Sequence, residues 1–109
     1  MKRLCFALDL KEEEKLISEY KEYHTKVWPE IVESIKNAGI INLEIYLVIN
    51  RLFMIMEVND TFSIEKKAKK DKDNLKVQEW EQLMWLYQKS LPTANPGEKW
   101  MLMEKIYDL

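Results

Sequence analysis

His24 is the only histidine of the chain, and histidine is the only side chain whose ordinary pKa lies near neutrality. Tyr20 stands four residues before it, a spacing that puts both on one face of a helix. At 100° per residue the pair falls within the apolar stripe of Leu16, Val27 and Ile31, so it is expected to point towards a sheet and not into solvent. A histidine in that place is either a satisfied core residue or a proton-transfer group, and spacing alone leaves both open. Four tryptophans, Trp28, Trp80, Trp85 and Trp100, are many for 109 residues. Core packing accounts for some of them. Val77, Trp80, Met84 and Tyr87 form one helical stripe and Trp85 is rotated off it, so Trp80 and Trp85 are candidates for a wall against a ligand with an apolar face, such as a sugar ring. Asn42, Glu44 and Tyr46 share one face of an expected strand. Glu57 and Glu104 interrupt apolar strands, where a carboxylate must be paired or hydrogen-bonded. Arg3, Arg51, Lys99 and Lys105 are available for that.

Several chemistries are missing from this inventory. No cysteine–histidine cluster has zinc spacing, no phosphate-binding loop or dinucleotide fingerprint occurs, and there is no nucleophile elbow. The residues that remain suit proton transfer on a polar, neutral small molecule, with neither cofactor nor metal expected. Lys+Arg 17 against Asp+Glu 19 gives a net charge of -2, which argues against nucleic acid as a partner. Lys66, Lys67, Lys69, Lys70 and Lys72 alternate with acidic residues and read as a solvated helix surface. No apolar run reaches the roughly 18 residues of a membrane span. The apolar start, Leu4 to Leu10, contains Asp9 and runs into Lys11, Glu12, Glu13 and Glu14, unlike a secretory leader. Cys5 is the lone cysteine, so no intramolecular disulfide forms, which fits a reducing, cytoplasmic setting.

The elements that must carry these residues follow from period. Leu4, Phe6, Leu8 and Leu10 alternate as a first strand. Lys11 to Ala38 has helical spacing, with a kink or restart near Trp28 because Pro29 lacks a backbone donor. Ile40–Ile49 and Leu52–Val58 read as strands joined at Asn50-Arg51, where Asn tolerates positive φ. Phe62–Lys72 and Val77–Lys89 read as helices, Leu91–Gly97 as a loop, and Trp100–Tyr107 as the last strand. That order is a split βαβ, ferredoxin-like pattern over one domain, residues 1–109. Helices cover one face of a four-stranded antiparallel sheet. The strands are also apolar on the other face, which calls for a second copy of the chain as its cover.

With these motifs in place, EYKEYHTKVWPEI, Glu19 to Ile31, resembles the Y-x-x-x-H-x-x-x-W-P-E segment of L-rhamnose mutarotases. The resemblance continues through GIINLEIY, RLFMIMEV, VQEWEQLM and GEKWMLMEKIYDL, nearly the whole chain. It implies a dimeric ferredoxin-like α+β barrel that interconverts the α and β anomers of L-rhamnose or a related 6-deoxy sugar such as L-fucose. It implies His24 as proton donor, with Tyr20 and Trp80 binding sugar. The chain departs from the family at Leu43, after Asn42, where a second sugar-binding tyrosine is usual, and at Glu81, which follows Trp80 in place of a paired tryptophan. Asn42 and Tyr46 are retained as candidate sugar contacts, Tyr46 as a replacement hydroxyl. The competing classes on this fold are a small-molecule binding module and a cofactor-free or haem-degrading monooxygenase.

Overall fold

The alternation of the first strand decides which side of the sheet the helices occupy. In the computed structural model, which describes residues 1–109, β1 runs over Lys2–Leu10 with Phe6, Leu8 and Leu10 buried. Helix α1 (Glu14–Tyr23) and helix α2 (Pro29–Asn37) follow, then β2 (Ile40–Val48) and β3 (Arg51–Val58). β1 and β3 are antiparallel neighbours from Lys2↔Val58 to Asp9↔Arg51, and β2 lies on the far side of β3. Along β3, Leu52, Met54, Met56 and Val58 are buried, whereas Phe53, Ile55 and Glu57 are half-buried on the other face. A bulge between Ile40 and Asn42 resets the phase of β2, so that Ile40 and then Leu43, Ile45 and Leu47 all point to the helical side.

The helical span expected over Lys11–Ala38, with a kink or restart near Trp28, is two helices: it restarts. Pro29 occupies the first turn of α2, where its missing donor costs nothing, and so it starts a helix instead of bending one. His24 is thereby left at the end of α1, its backbone N–H held by Lys21 O at 3.1 Å. Gly39, at φ 96°, closes α2, and a Cβ there would sit 2.5 Å from the Asn59 side chain, so both conformation and space require glycine.

Further expectations change. The turn between β2 and β3 is Ile49-Asn50, and Ile49, not Asn50, takes the positive φ of 56°. Asn50 is used instead as a tether: its Nδ2 donates to Leu10 O at 3.1 Å and its O accepts from Leu10 N at 2.7 Å. Helix α3 (Ile64–Lys72) is capped by Ser63 and buries no residue. Helix α4 (Leu75–Trp85), capped by Asn74, stops short of the expected Lys89. Gln88–Lys89 leaves it as strand β4, which pairs with Asp9 and Leu10. The expected final strand is only β5 (Met101–Leu102), paired with Phe6 and Ala7, with Met103 N adding one bond to Cys5 O. The fourth strand of the ferredoxin-like order is therefore delivered in two pieces along one edge of β1, and residues 90–100 loop out between them. Glu104 falls beyond β5 and is exposed, so it needs no buried partner.

The helical side holds two apolar clusters. One joins Leu10, Tyr20, Ile31, Leu52, Val77, Trp80, Met84 and Tyr87, and the other joins Phe6, Ile40, Met54, Met56 and Val58. On the opposite face Tyr46 and Val48 are 54% and 66% exposed. Asp9 is buried on that face and is held by Arg51 in a two-pronged ion pair, Nε to Oδ1 at 2.8 Å and Nη2 to Oδ2 at 3.1 Å, the geometry that suits a guanidinium and a carboxylate.

Candidate active site

His24 ends α1 and so escapes the ladder of helix hydrogen bonds. Its ring turns back over the preceding turn, with Nδ1 2.8 Å from Tyr20 O. A carbonyl only accepts, so Nδ1 carries a proton, and the neutral imidazole holds its lone pair at Nε2. That assignment follows from the hydrogen bond. The Tyr20 ring lies 4.4 Å from the His24 ring, centroid to centroid, at 35°. Tyr20 is 4% exposed, and its hydroxyl accepts from Gln88 Nε2 at 3.2 Å. Burial raises the Tyr20 pKa, and the Gln88 bond only partly offsets this. Tyr20 therefore keeps its phenolic proton at neutral pH.

Trp80, from the middle of α4, completes the group. Its ring is 5.7 Å from His24, 5.1 Å from Trp28 and 6.3 Å from Tyr23, each contact edge-to-face. It is only 9% exposed, because those three rings surround it. Trp80 thus borders His24 but is a core residue first. Trp85, rotated off the Trp80 stripe as its spacing predicts, is half-buried and lines a shallow, open depression with Gln82, Leu86, Gln88 and Ser90. A cavity of 400 Å³ lies along α1 and is lined by Glu19, Glu22, Tyr23, Lys26 and Tyr87. Tyr87 donates to Glu19 Oε1 at 3.0 Å, and desolvation together with that carboxylate pushes its pKa up to about 12.

Of the residues singled out in the sequence, Tyr20, His24 and Trp80 come together, and Asn42 and Tyr46 do not join them. Both lie on the face of β2 away from the helices, since the residues between and beside them, Leu43, Ile45 and Leu47, pack inward. Asn42 instead donates to Glu57 Oε1 at 3.5 Å and Tyr46 to Glu44 Oε2 at 3.3 Å. Tyr46 therefore supplies no replacement hydroxyl to the His24 group of its own chain. Leu43 packs on the second apolar cluster, whereas Tyr20 and Trp80 belong to the first. Sequence reasoning missed Gln88 and the Tyr87–Glu19 pair. Tyr87 carried only its place in an apolar stripe, and Gln88 looked like the last turn of a helix. No three His, Cys, Asp or Glu side chains gather where they could hold a metal ion.

Fold and site together define a class: a ferredoxin-like α+β protein whose helical layer carries a histidine–tyrosine pair beside tryptophan. The model of the L-rhamnose mutarotase family matches residues 3–109, and the chain belongs to that family. It is an isomerase acting on carbohydrates, as the resemblance at Tyr20, His24 and Trp28-Pro29-Glu30 implied. An L-fucose mutarotase of Xanthomonas campestris pv. campestris is 43% identical, with 100% of this chain and 89% of that protein covered. An L-rhamnose mutarotase of Tolumonas auensis is 28% identical, with 95% and 92% covered. Among solved structures, the crystal structure of an L-rhamnose mutarotase from Formosa agariphila superposes with a TM-score of 0.73 over 100% of this chain and 99% of that one, at 24% identity, which supports the fold.

Proposed function

We propose that this chain interconverts the α and β anomers of L-fucose or L-rhamnose, with His24 as the group that moves the proton and Tyr20 as a sugar-binding hydroxyl. The reading rests on one observation above all: His24 has its Nδ1 fixed on Tyr20 O, so Nε2 is the nitrogen free for chemistry. Mutarotation opens a hemiacetal and closes it on the other face. The anomeric hydroxyl loses its proton, the ring oxygen gains one, and the C1–O5 bond breaks. Rotation about C1–C2 presents the other face of the aldehyde, and the same transfers run backwards.

In the imidazolium state, Nε2–H of His24 gives the proton to the ring oxygen, and in the neutral state the same atom takes it back on closure. Tyr20 is unsuited as the base for the anomeric hydroxyl, because burial holds its proton in place. We assign that proton to water. Gln88 already donates to the Tyr20 oxygen, so the phenolic proton is left to bind a sugar oxygen. The identity to an L-fucose enzyme makes L-fucose the first sugar to test.

The active unit is proposed to be a cytoplasmic homodimer. Its support is the sheet face that the helices leave open, where Tyr46, Val48, Phe53 and Ile55 stand together. Saturation-transfer NMR between the anomeric protons of L-fucose, L-rhamnose and D-glucose tests the activity. Faster exchange of one 6-deoxy sugar on adding protein is the expected result. Rates equal to those in buffer for all three sugars would leave a binding module as the reading.

A further inference from the structure

Gln88 pairs with Leu10 at the sheet edge and is 6% exposed. Its amide is a buried polar group with both donors and acceptor sites to fill. Nε2 donates to the Tyr20 hydroxyl at 3.2 Å, whereas Oε1 is buried without a partner. Turning the amide over exchanges the two ends but fills only one of them, since one hydroxyl faces the pair. A buried amide end left unpaired is costly, and where a fold retains one it calls for an explanation.

The same side chain lines a shallow, open depression with Gln82, Trp85, Leu86 and Ser90. The lining carries no charged side chain. It offers amides, a hydroxyl and an indole, and Lys99 Nζ lies 4.9 Å from the indole centroid. Amides and hydroxyls match the hydroxyls of a neutral sugar, and an indole matches its C–H face. Gln88 is thus the side chain that touches both this depression and Tyr20, one helical turn from His24. The proton transfers proposed above do not use its second amide end.

We propose that Gln88 is a specificity-determining residue whose side chain, reaching from the Tyr20 hydroxyl to the Trp85-lined depression, binds a hydroxyl of the sugar with its second amide end. This rests on the mutarotase reading. The test compares wild type, Gln88→Leu and the length-matched Gln88→Met by exchange NMR over a range of sugar concentrations. Substrates are L-fucose, L-rhamnose and the monodeoxy analogues of whichever sugar responds. Thermal unfolding is followed alongside.

In both variants KM is expected to rise about tenfold, the worth of one hydrogen bond, with Tm little changed, because loss of the bond to the Tyr20 hydroxyl is offset by removal of the unpaired amide end. The analogue lacking the contacted hydroxyl should lose a similar factor in wild type and nothing further in the variants. An unchanged KM with a lowered Tm in both variants would show that the amide serves only the fold and would overturn the proposal. Equal losses for every analogue in wild type and variants would overturn it too. Those failures leave wild-type exchange intact. A wild type inert towards both sugars would instead sink the mutarotase reading and this proposal with it.

Discussion

Replacing His24 separates catalysis from folding, because the two effects differ in size. His24 is half-buried and contributes one hydrogen bond to Tyr20 O plus ring contacts with Tyr20 and Trp80. The bond is worth about 0.5–1.5 kcal/mol net. Each aromatic contact adds about 0.5–1.5 kcal/mol. His24→Gln keeps much of the volume and should cost about 1–3 kcal/mol of stability. A domain of this size has about 5–15 kcal/mol to lose, so more than nine-tenths of the variant stays folded at 25 °C. The folded fraction therefore changes activity by little. Loss of the proton-transfer group should slow exchange by about 10²–10⁴-fold, equivalent to about 3–5 kcal/mol in the barrier. Anomer exchange by saturation-transfer NMR at 25 °C, with circular dichroism on the same samples, reads both quantities. A folded His24→Gln within threefold of the wild-type rate would remove His24 from the mechanism. A variant that loses its fold along with its activity would make the histidine a core residue.

Other outcomes follow from the same geometry. Tyr20→Phe should bind sugar more weakly, by about two- to tenfold for one lost hydrogen bond, which titration against tryptophan fluorescence measures; unchanged affinity would leave Tyr20 a packing residue only. Tyr87 has a folded pKa of about 12 against an ordinary 10.0, so the stability it lends is complete below pH 10 and is lost as pH rises towards 12. Tyr87→Phe should accordingly flatten the fall of Tm between pH 10 and 12, and a fall as steep as in wild type would refute the Tyr87–Glu19 account. Light scattering at micromolar concentration should give the mass of a dimer, and a mass near 13.2 kDa would contradict the proposed cover of the open sheet face.

The strands were the most legible part of the sequence, because period two survives in β1 and β3 without interruption. The same rule failed where pairing, and not side-chain pattern, defines the element. Gln88-Lys89 has no break before it and continues the helical run of α4, yet Leu10 and Asp9 on the open edge of β1 draw it into the sheet. Trp100 to Tyr107 alternates well but has a partner only as far as the Met103–Cys5 bond, so most of that pattern stays unpaired. The turn at Ile49 ran against residue preference. A β-branched residue at φ 56° is strained, and the tether from Asn50 to Leu10 is what holds it there. Of the kink or restart expected near Trp28, the structure shows the restart, since proline is at home in a first turn.

That break is also what makes the site. A continuous helix through His24 would have used Tyr20 O in its own ladder, as acceptor for the residue four positions on. With α1 ending at Tyr23, that carbonyl accepts from the His24 ring, and the ring is turned so that Nε2 is the free nitrogen. The motif Y-x-x-x-H-x-x-x-W-P thus encodes a geometry, not only a set of functional groups. Tyr20 and His24 are four apart so that ring and carbonyl meet, and Pro29 restarts the helix after a gap long enough for His24 to cap the first one. Gln88, which donates to the Tyr20 hydroxyl, is 68 positions away from Tyr20 and lies on β4, just past the end of α4. Local pattern reaches the half of the site carried by one turn of α1. Only the sheet, which brings β4 beside β1, reaches the other half.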